Sequence, residues 1–426
     1  DQDQLALATA FAYWCLPQLF FYGLYSILGE VLNSRSEFGP FMWAPVLNNV
    51  VSIAGLVAFV VIFGADPTGQ RAVELWGADR ISLLAGSATL GVAAQALILL
   101  VSWRKIGLNL SLNFHWRGFG LRPALKAASW SLAMVLVTQI GGLVQTAVAS
   151  TAVSGRDSGL AVASVAAASI AWLIFMLPHS VVTVSVATAY FTRMAQRAAA
   201  GKMSDFKGDL TVGLRVIALV SVVSSVTLMV LAYPIARVFV GEYPATAALG
   251  NVIIALMVGL VPFSFVYMMQ RAFFALEDTR TPFIFTSIQI SLHIIGSLTL
   301  GATMPKQWLV VSLSILTAST VIVQGSVGYL MLKRRIGGFG EAKIAKSVFG
   351  FLLAALPAGL VGASVLELLG GVGSGAFAVD KVLNAVVACL LVGPTIVITY
   401  VLILWLFKTP ELREVQKQLK ARLTRR

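Results

Sequence analysis

Charge is what this chain has least of. Of its 426 residues 12% are Asp, Glu, Lys or Arg, against 58% hydrophobic, and the mean hydropathy is +0.87. An ordinary soluble domain carries roughly a quarter charged residues, so that class is excluded. Cysteine is nearly missing too. Cys15 and Cys389 each lie inside an apolar block, so both read as packing residues, with no disulfide framework and no metal site expected. The chain holds no Walker loop, no His-Glu-x-x-His pair, no metal-spaced cluster and no carboxylate pair within an apolar block. Nucleotide hydrolysis and intramembrane hydrolase chemistry are therefore not expected; the chain is not read as an enzyme, and no cofactor is called for.

What is present is a series of apolar blocks long enough to cross a bilayer as helices. Eleven such segments are expected, at 5–32, 42–64, 81–103, 124–151, 160–190, 211–236, 247–276, 282–303, 308–332, 347–369 and 383–407. Only a helix satisfies its backbone within one segment in lipid, so the fold class is an all-α polytopic membrane protein. The connections alternate sharply in basicity. Those at 33–41, 104–126, 191–215, 277–281, 333–346 and 408–426 hold 24 Lys or Arg, and those on the other side hold 6. The positive-inside rule then puts the basic loops and the C-terminus in the cytoplasm and Asp1 outside. The net charge of +13 is accordingly a topology signal with affinity for anionic membrane lipids, not a nucleic-acid footprint. Trp43, Trp76, Trp103, Trp116, Trp308 and Trp405 fall near segment ends, as interfacial anchors do. The mixed basic and aromatic stretch 104–122 and the basic tail from Lys417 to Arg426 are expected to lie on lipid headgroups as short amphipathic segments.

One stretch organises the rest. Tyr267 to Pro282 joins two apolar blocks through Glu277-Asp278-Thr279-Arg280-Thr281, which reads as a tight hairpin between membrane helices. Asp278, Thr279 or Thr281 can cap the second helix, and Pro282 fits its first turn, where no N–H is needed. Arg271 is the one cation well inside a block. At the bilayer centre it would cost roughly 2.5–3.5 kcal/mol, so it either serves a ligand or snorkels to the interface. Tyr25 to Pro40 has the same Tyr-to-Pro spacing on the same expected side. If this echo is a repeat, two pseudo-symmetric bundles would flank a substrate path. Among the polar residues within blocks, Asn48, Asn49, Gln139, Gln145, His179 (after Pro178), Gln289 and His293 are singled out. Each is either interhelical glue or a cavity group, and the two histidines can couple transport to protons.

Phe273-Phe274-Ala275-Leu276-Glu277-Asp278-Thr279-Arg280-Thr281-Pro282 resembles the Phe-Tyr-Ala-x-x-Asp-Thr-(Arg/Lys)-Thr-Pro signature of the MurJ (MviN) family of lipid II flippases. Leu32-Asn33, Phe38, Ala44-Pro45 and Asn49 are similar to that family's hairpin between its fourth and fifth helices. Leu177-Pro178 with Val184 to Thr188, then Ala198 to Gly201, looks like its eighth helix and the following loop. The resemblance implies a two-bundle fold of the multidrug/oligosaccharidyl-lipid/polysaccharide (MOP) exporter superfamily, with this chain matching helices four to fourteen and lacking the first three. It implies residues 1–122 as the remainder of an N-terminal bundle, 123–336 as a C-terminal bundle, and 337–426 as two appended helices with a basic tail. The implied activity is alternating-access export of lipid II, or of another polyprenyl-pyrophosphate-linked glycan, with cell-wall synthesis proteins as partners and the bacterial plasma membrane as location. Substrate contacts are expected from Arg271, His179, Gln145 and Asn49, coupling from His293 and Gln289, and hinges from Pro40, Pro45, Asp278, Thr281 and Pro282.

The chain also departs from the family pattern. The family's arginine before the eighth-helix proline corresponds to Leu173, its sodium ligands to Gln145, Gln289 and His293, and a loop proline to Thr192. No sodium site is therefore expected. A drug exporter would show mid-membrane carboxylates and a polyprenyl-phosphate transferase a polar cluster at one membrane face, and neither is found. A non-transporting scaffold related to flippases is the remaining rival.

Overall fold

The computed structural model describes residues 2–34, 37–66, 72–105, 121–152, 162–409 and 411. The stretch at 106–120, with Trp116, and the tail beyond 411 lie outside these, so both expected headgroup segments do as well. The described chain is helical. Among the described residues ten helices are long and apolar enough to span a bilayer, or eleven, the expected number, with one bent pair counted as a single span. The fold forms two compact units, Asp1–Arg117 and Gly118–Arg426.

In the first unit, α1 (Gln2–Cys15) and α2 (Pro17–Ser34) form one crossing interrupted ahead of Pro17, followed by α3 (Phe38–Phe63) and α4 (Ala78–Lys105). All three earlier helices pack on α4, and Leu28, Leu32, Ala44, Leu99 and Trp103 make the core. Trp103 is therefore a core residue and not an interfacial anchor, because α2 and α3 cover its ring. Cys15 is exposed, not packed. Pro45 sits inside α3 and cannot donate to the Phe41 carbonyl four residues back. The Tyr25 hydroxyl donates to that carbonyl at 3.0 Å, and its ring stacks on Phe41 at 4.9 Å. Gly29 makes room for this pair, since a Cβ there would meet the Phe41 ring at 2.2 Å.

The second unit comprises α5 (Leu121–Ser150), α6 (Val165–Pro178), α7 (Val184–Ala199), α8 (Met203–Val230), α9 (Ala232–Phe239), α10 (Tyr243–Met257), α11 (Leu260–Ala275), α12 (Arg280–Thr303), α13 (Lys306–Ile336), α14 (Glu341–Leu368), α15 (Phe377–Asp380) and α16 (Val382–Leu406). α10 and α11 are the bent pair, turning by 45° at Val258-Gly259. One apolar core joins α6, α10 and α13, a second joins α7, α8, α11 and α13, and a third joins α8, α14 and α16. The basic connection expected at 191–215 is mostly helix. α7 runs to Ala199 and α8 starts at Met203, with Gly201 at φ +69° making the turn. The reason is Asp209, 3% exposed, which takes Arg193 at 2.9 Å and Arg197 at 2.7 Å and so neutralises charge within the helices.

Candidate functional site

The break between α6 and α7 shapes one wall of the site. Ser164 caps α6 by accepting the Ala167 N–H at 3.1 Å, and the helix widens into a single π-turn, His179–Thr183, directly after Pro178. Such turns change which side chains face inward and recur at functional positions. Here the turn drives His179 into the protein, 2% exposed, with Nδ1 3.3 Å from the Ser264 hydroxyl of α11. Thr183 donates to the same hydroxyl at 3.0 Å. Phe263 and Tyr267 pack on the imidazole at ring distances of 4.6 and 5.2 Å. His179 thus lies behind the two aromatic rings that line the adjoining cavity.

That cavity, about 600 Å³, is bounded by α5, α6, α11, α12 and α13. Gln139 and Gln145 come from α5, Tyr267 and Gln270 from α11, Gln289 and His293 from α12, and Gln324 from α13. Among the described residues no Asp, Glu, Lys or Arg lines it. Two hydrogen bonds tie α12 to α13, from Gln289 Nε2 to Thr320 at 3.2 Å and from Gln324 Nε2 to Thr286 at 3.0 Å. His293, 3% exposed, touches the cavity with neither ring nitrogen hydrogen-bonded, and the Ser297 hydroxyl one turn on is buried and unpaired as well. Unpaired buried polar atoms in a native fold call for a missing partner. A second chamber of about 400 Å³ shares Gln145, Trp172 and Thr317 with the first, and Leu173 lines it. On another side of the unit, an apolar groove of about 570 Å³ runs between α11, α13 and α14 past Phe265, Met269, Ile344 and Leu352.

Of the residues singled out from sequence, Gln139, Gln145, Gln289 and His293 therefore share one cavity, and His179 stands behind its wall. Arg271 does not line it. The guanidinium lies over Tyr267 at 5.1 Å and Phe191 at 5.5 Å and donates to the Tyr267 hydroxyl at 2.7 Å. Among the described residues it pairs with no carboxylate. Asn49, Pro40 and Pro45 belong to the first unit, where Asn49 is exposed and Asn48 instead bonds Gln95 at 3.0 Å. In the α11–α12 hairpin, Asp278 accepts the Thr281 N–H at 3.0 Å and its hydroxyl at 2.7 Å, and Pro282 sits in the first turn of α12. Sequence reasoning missed Gln270 and Gln324 as cavity residues. Both are glutamines inside apolar blocks, the same signal that picked out Gln289.

The described residues thus form a helical multi-pass membrane bundle with a polar chamber between α5, α6, α11, α12 and α13. The sequence model of the family described as lipid II flippase MurJ matches residues 1–380, and the chain belongs to that family. A probable lipid II flippase MurJ of Buchnera aphidicola subsp. Acyrthosiphon pisum is 27% identical over 289 residues, covering 66% of this chain and 51% of the relative. One from Rhizobium meliloti is 25% identical over 336 residues, covering 78% and 58%. The chain thus spans little more than half the length of these relatives. Among solved structures, a lipid II flippase MurJ in an inward closed conformation superimposes with a TM-score of 0.63 at 19% identity, over 93% of this chain and 73% of that one. A MATE protein in the bent conformation gives 0.56 at 18%, over 80% and 70%. The fold is therefore shared by both kinds of protein.

Proposed function

We propose that the chain belongs to a flippase moving lipid II, a polyprenyl-pyrophosphate-linked disaccharide-peptide, from the inner to the outer leaflet of the bacterial plasma membrane for cell-wall synthesis. Family membership supplies the substrate, and the polar cavity of the second unit is the single observation that carries the mechanism. A headgroup of pyrophosphate, sugars and peptide cannot cross hydrocarbon unaided, so the protein's work is to provide a polar path. Alternating access opens that path to each side in turn. The polyprenyl tail stays outside in lipid, where the apolar groove between α11, α13 and α14 suits it. Arg271, held by aromatic rings and paired with no carboxylate among the described residues, is a cation available to the pyrophosphate as the headgroup passes. His293 and Gln289 are the coupling candidates. The basic connections and the C-terminus face the cytoplasm, and the work is transport without catalysis. The superfamily also fits export of another lipid-linked glycan. Rescue of flippase-depleted cells by the full-length gene tests the reading: growth resumes and lipid II becomes accessible from outside. Lysis with lipid II retained inside sinks it, and Arg271→Gln is expected to lower rescue at least ten-fold.

A further inference from the structure

We propose that the cavity of the second unit reads the hydroxyl- and amide-bearing sugar portion of the substrate and not its pyrophosphate, with Gln139, Gln145 and His293 setting that preference. The inference rests on the transport reading above and names what this chamber recognises.

The lining is the argument. A pyrophosphate buried in a low-dielectric chamber needs cations or many N–H donors, and among the described residues this wall offers no Lys or Arg. Glutamine is matched to a different ligand. Its side chain presents a carbonyl acceptor and an NH₂ donor together, the complement of a sugar hydroxyl or an acetamide. Gln289 and Gln324 spend a donor on Thr320 and Thr286, which fixes the rotamers and leaves their carbonyl oxygens to accept. Gln139 and Gln145 bond no described residue and face the chamber. His293 adds the second, independent sign of a ligand, being buried at the wall with both ring nitrogens unpaired. A neutral imidazole supplies one donor and one acceptor, again what a hydroxyl requires. Trp172 and Tyr267 complete the wall with aromatic faces, against which the C–H face of a pyranose ring packs. The volume, about 600 Å³, is within the range of sites that enclose a ligand of disaccharide size.

The test measures binding of two probes to the purified full-length protein in lipid nanodiscs: a polyprenyl pyrophosphate bearing an N-acetylated disaccharide, and the same lipid without sugar. The native protein is expected to prefer the glycosylated probe. Gln139→Leu combined with Gln145→Leu should cut the ratio of the two affinities by about ten-fold or more, as loss of two hydrogen bonds would. His293→Asn, which keeps a donor and an acceptor, should hold more of the preference than His293→Leu. Equal affinity of the native protein for both probes overturns this inference while leaving the transport reading standing, and so does a ratio that survives the glutamine substitutions. If neither probe binds, the transport reading falls and takes this one with it.

Discussion

Tyr25 and Tyr267 open hairpins of equal length, each ending on a proline, Pro40 and Pro282. Both turns carry the same backbone device. The Glu37 N–H reaches the Leu32 carbonyl and the Asp278 N–H the Phe273 carbonyl, each at 3.0 Å and each five residues back, and in the second turn the residue before Asp278, Glu277, is left-handed at φ +59°. The tyrosines, however, do different work. Tyr25 satisfies the carbonyl that Pro45 leaves open, so its role is to make a proline tolerable within a membrane helix. Tyr267 has no proline to serve. It holds Arg271 with its hydroxyl and ring while lining the cavity. An echo in sequence spacing therefore carries over the turn and not the use made of the side chain.

This contrast can be broken at its strongest point by a double-mutant cycle in the first hairpin. Tyr25→Phe orphans the Phe41 carbonyl and is expected to cost about 1–2 kcal/mol in unfolding stability. In a Pro45→Ala background the restored N–H takes over that carbonyl, and the cost should shrink to a few tenths. Equal costs in both backgrounds would show that the hydroxyl is not what Pro45 depends on. In the second hairpin, Tyr267→Phe keeps the ring beneath Arg271 and removes one hydrogen bond. It should lower rescue of flippase-depleted cells by less than ten-fold and move the unfolding temperature little, whereas a purely structural tyrosine would show the reverse. Asp278→Ala removes both bonds to Thr281 and should cost about 1 kcal/mol of stability. The smallest effect is a gain. Glu277 holds φ +59°, so Glu277→Gly should stabilise by up to about 1 kcal/mol, and a loss would mean that the carboxylate itself matters.

The crossing count, the hairpin at 277–281 and its capping by Asp278 were legible because each rests on local chemistry: long apolar runs, a cluster of polar residues and a proline that fits a first turn. The extent of α7 and α8 was not. Arg193, Arg197 and Asp209 look like a loop in one dimension, and only their pairing across two helices makes a charged turn helical. The site was half legible for the same reason. A polar residue in an apolar block is visible as an anomaly, so Gln145, Gln289 and His293 stand out. Whether it is glue or lining depends on which neighbour it meets. His179 and His293 illustrate this, one capped by Ser264 and covered by Phe263 and Tyr267, the other at a cavity with no partner.

By itself, then, the order of residues determined some ten or eleven apolar spans, because transfer of side chains from water to lipid is additive along the chain, and its motifs determined the family. Tertiary structure alone decided that the described lining of the second unit's chamber carries no charged residue and that Arg271 faces aromatic rings instead of that chamber. Those facts belong to helix faces, and a face acquires its character from the helix packed against it.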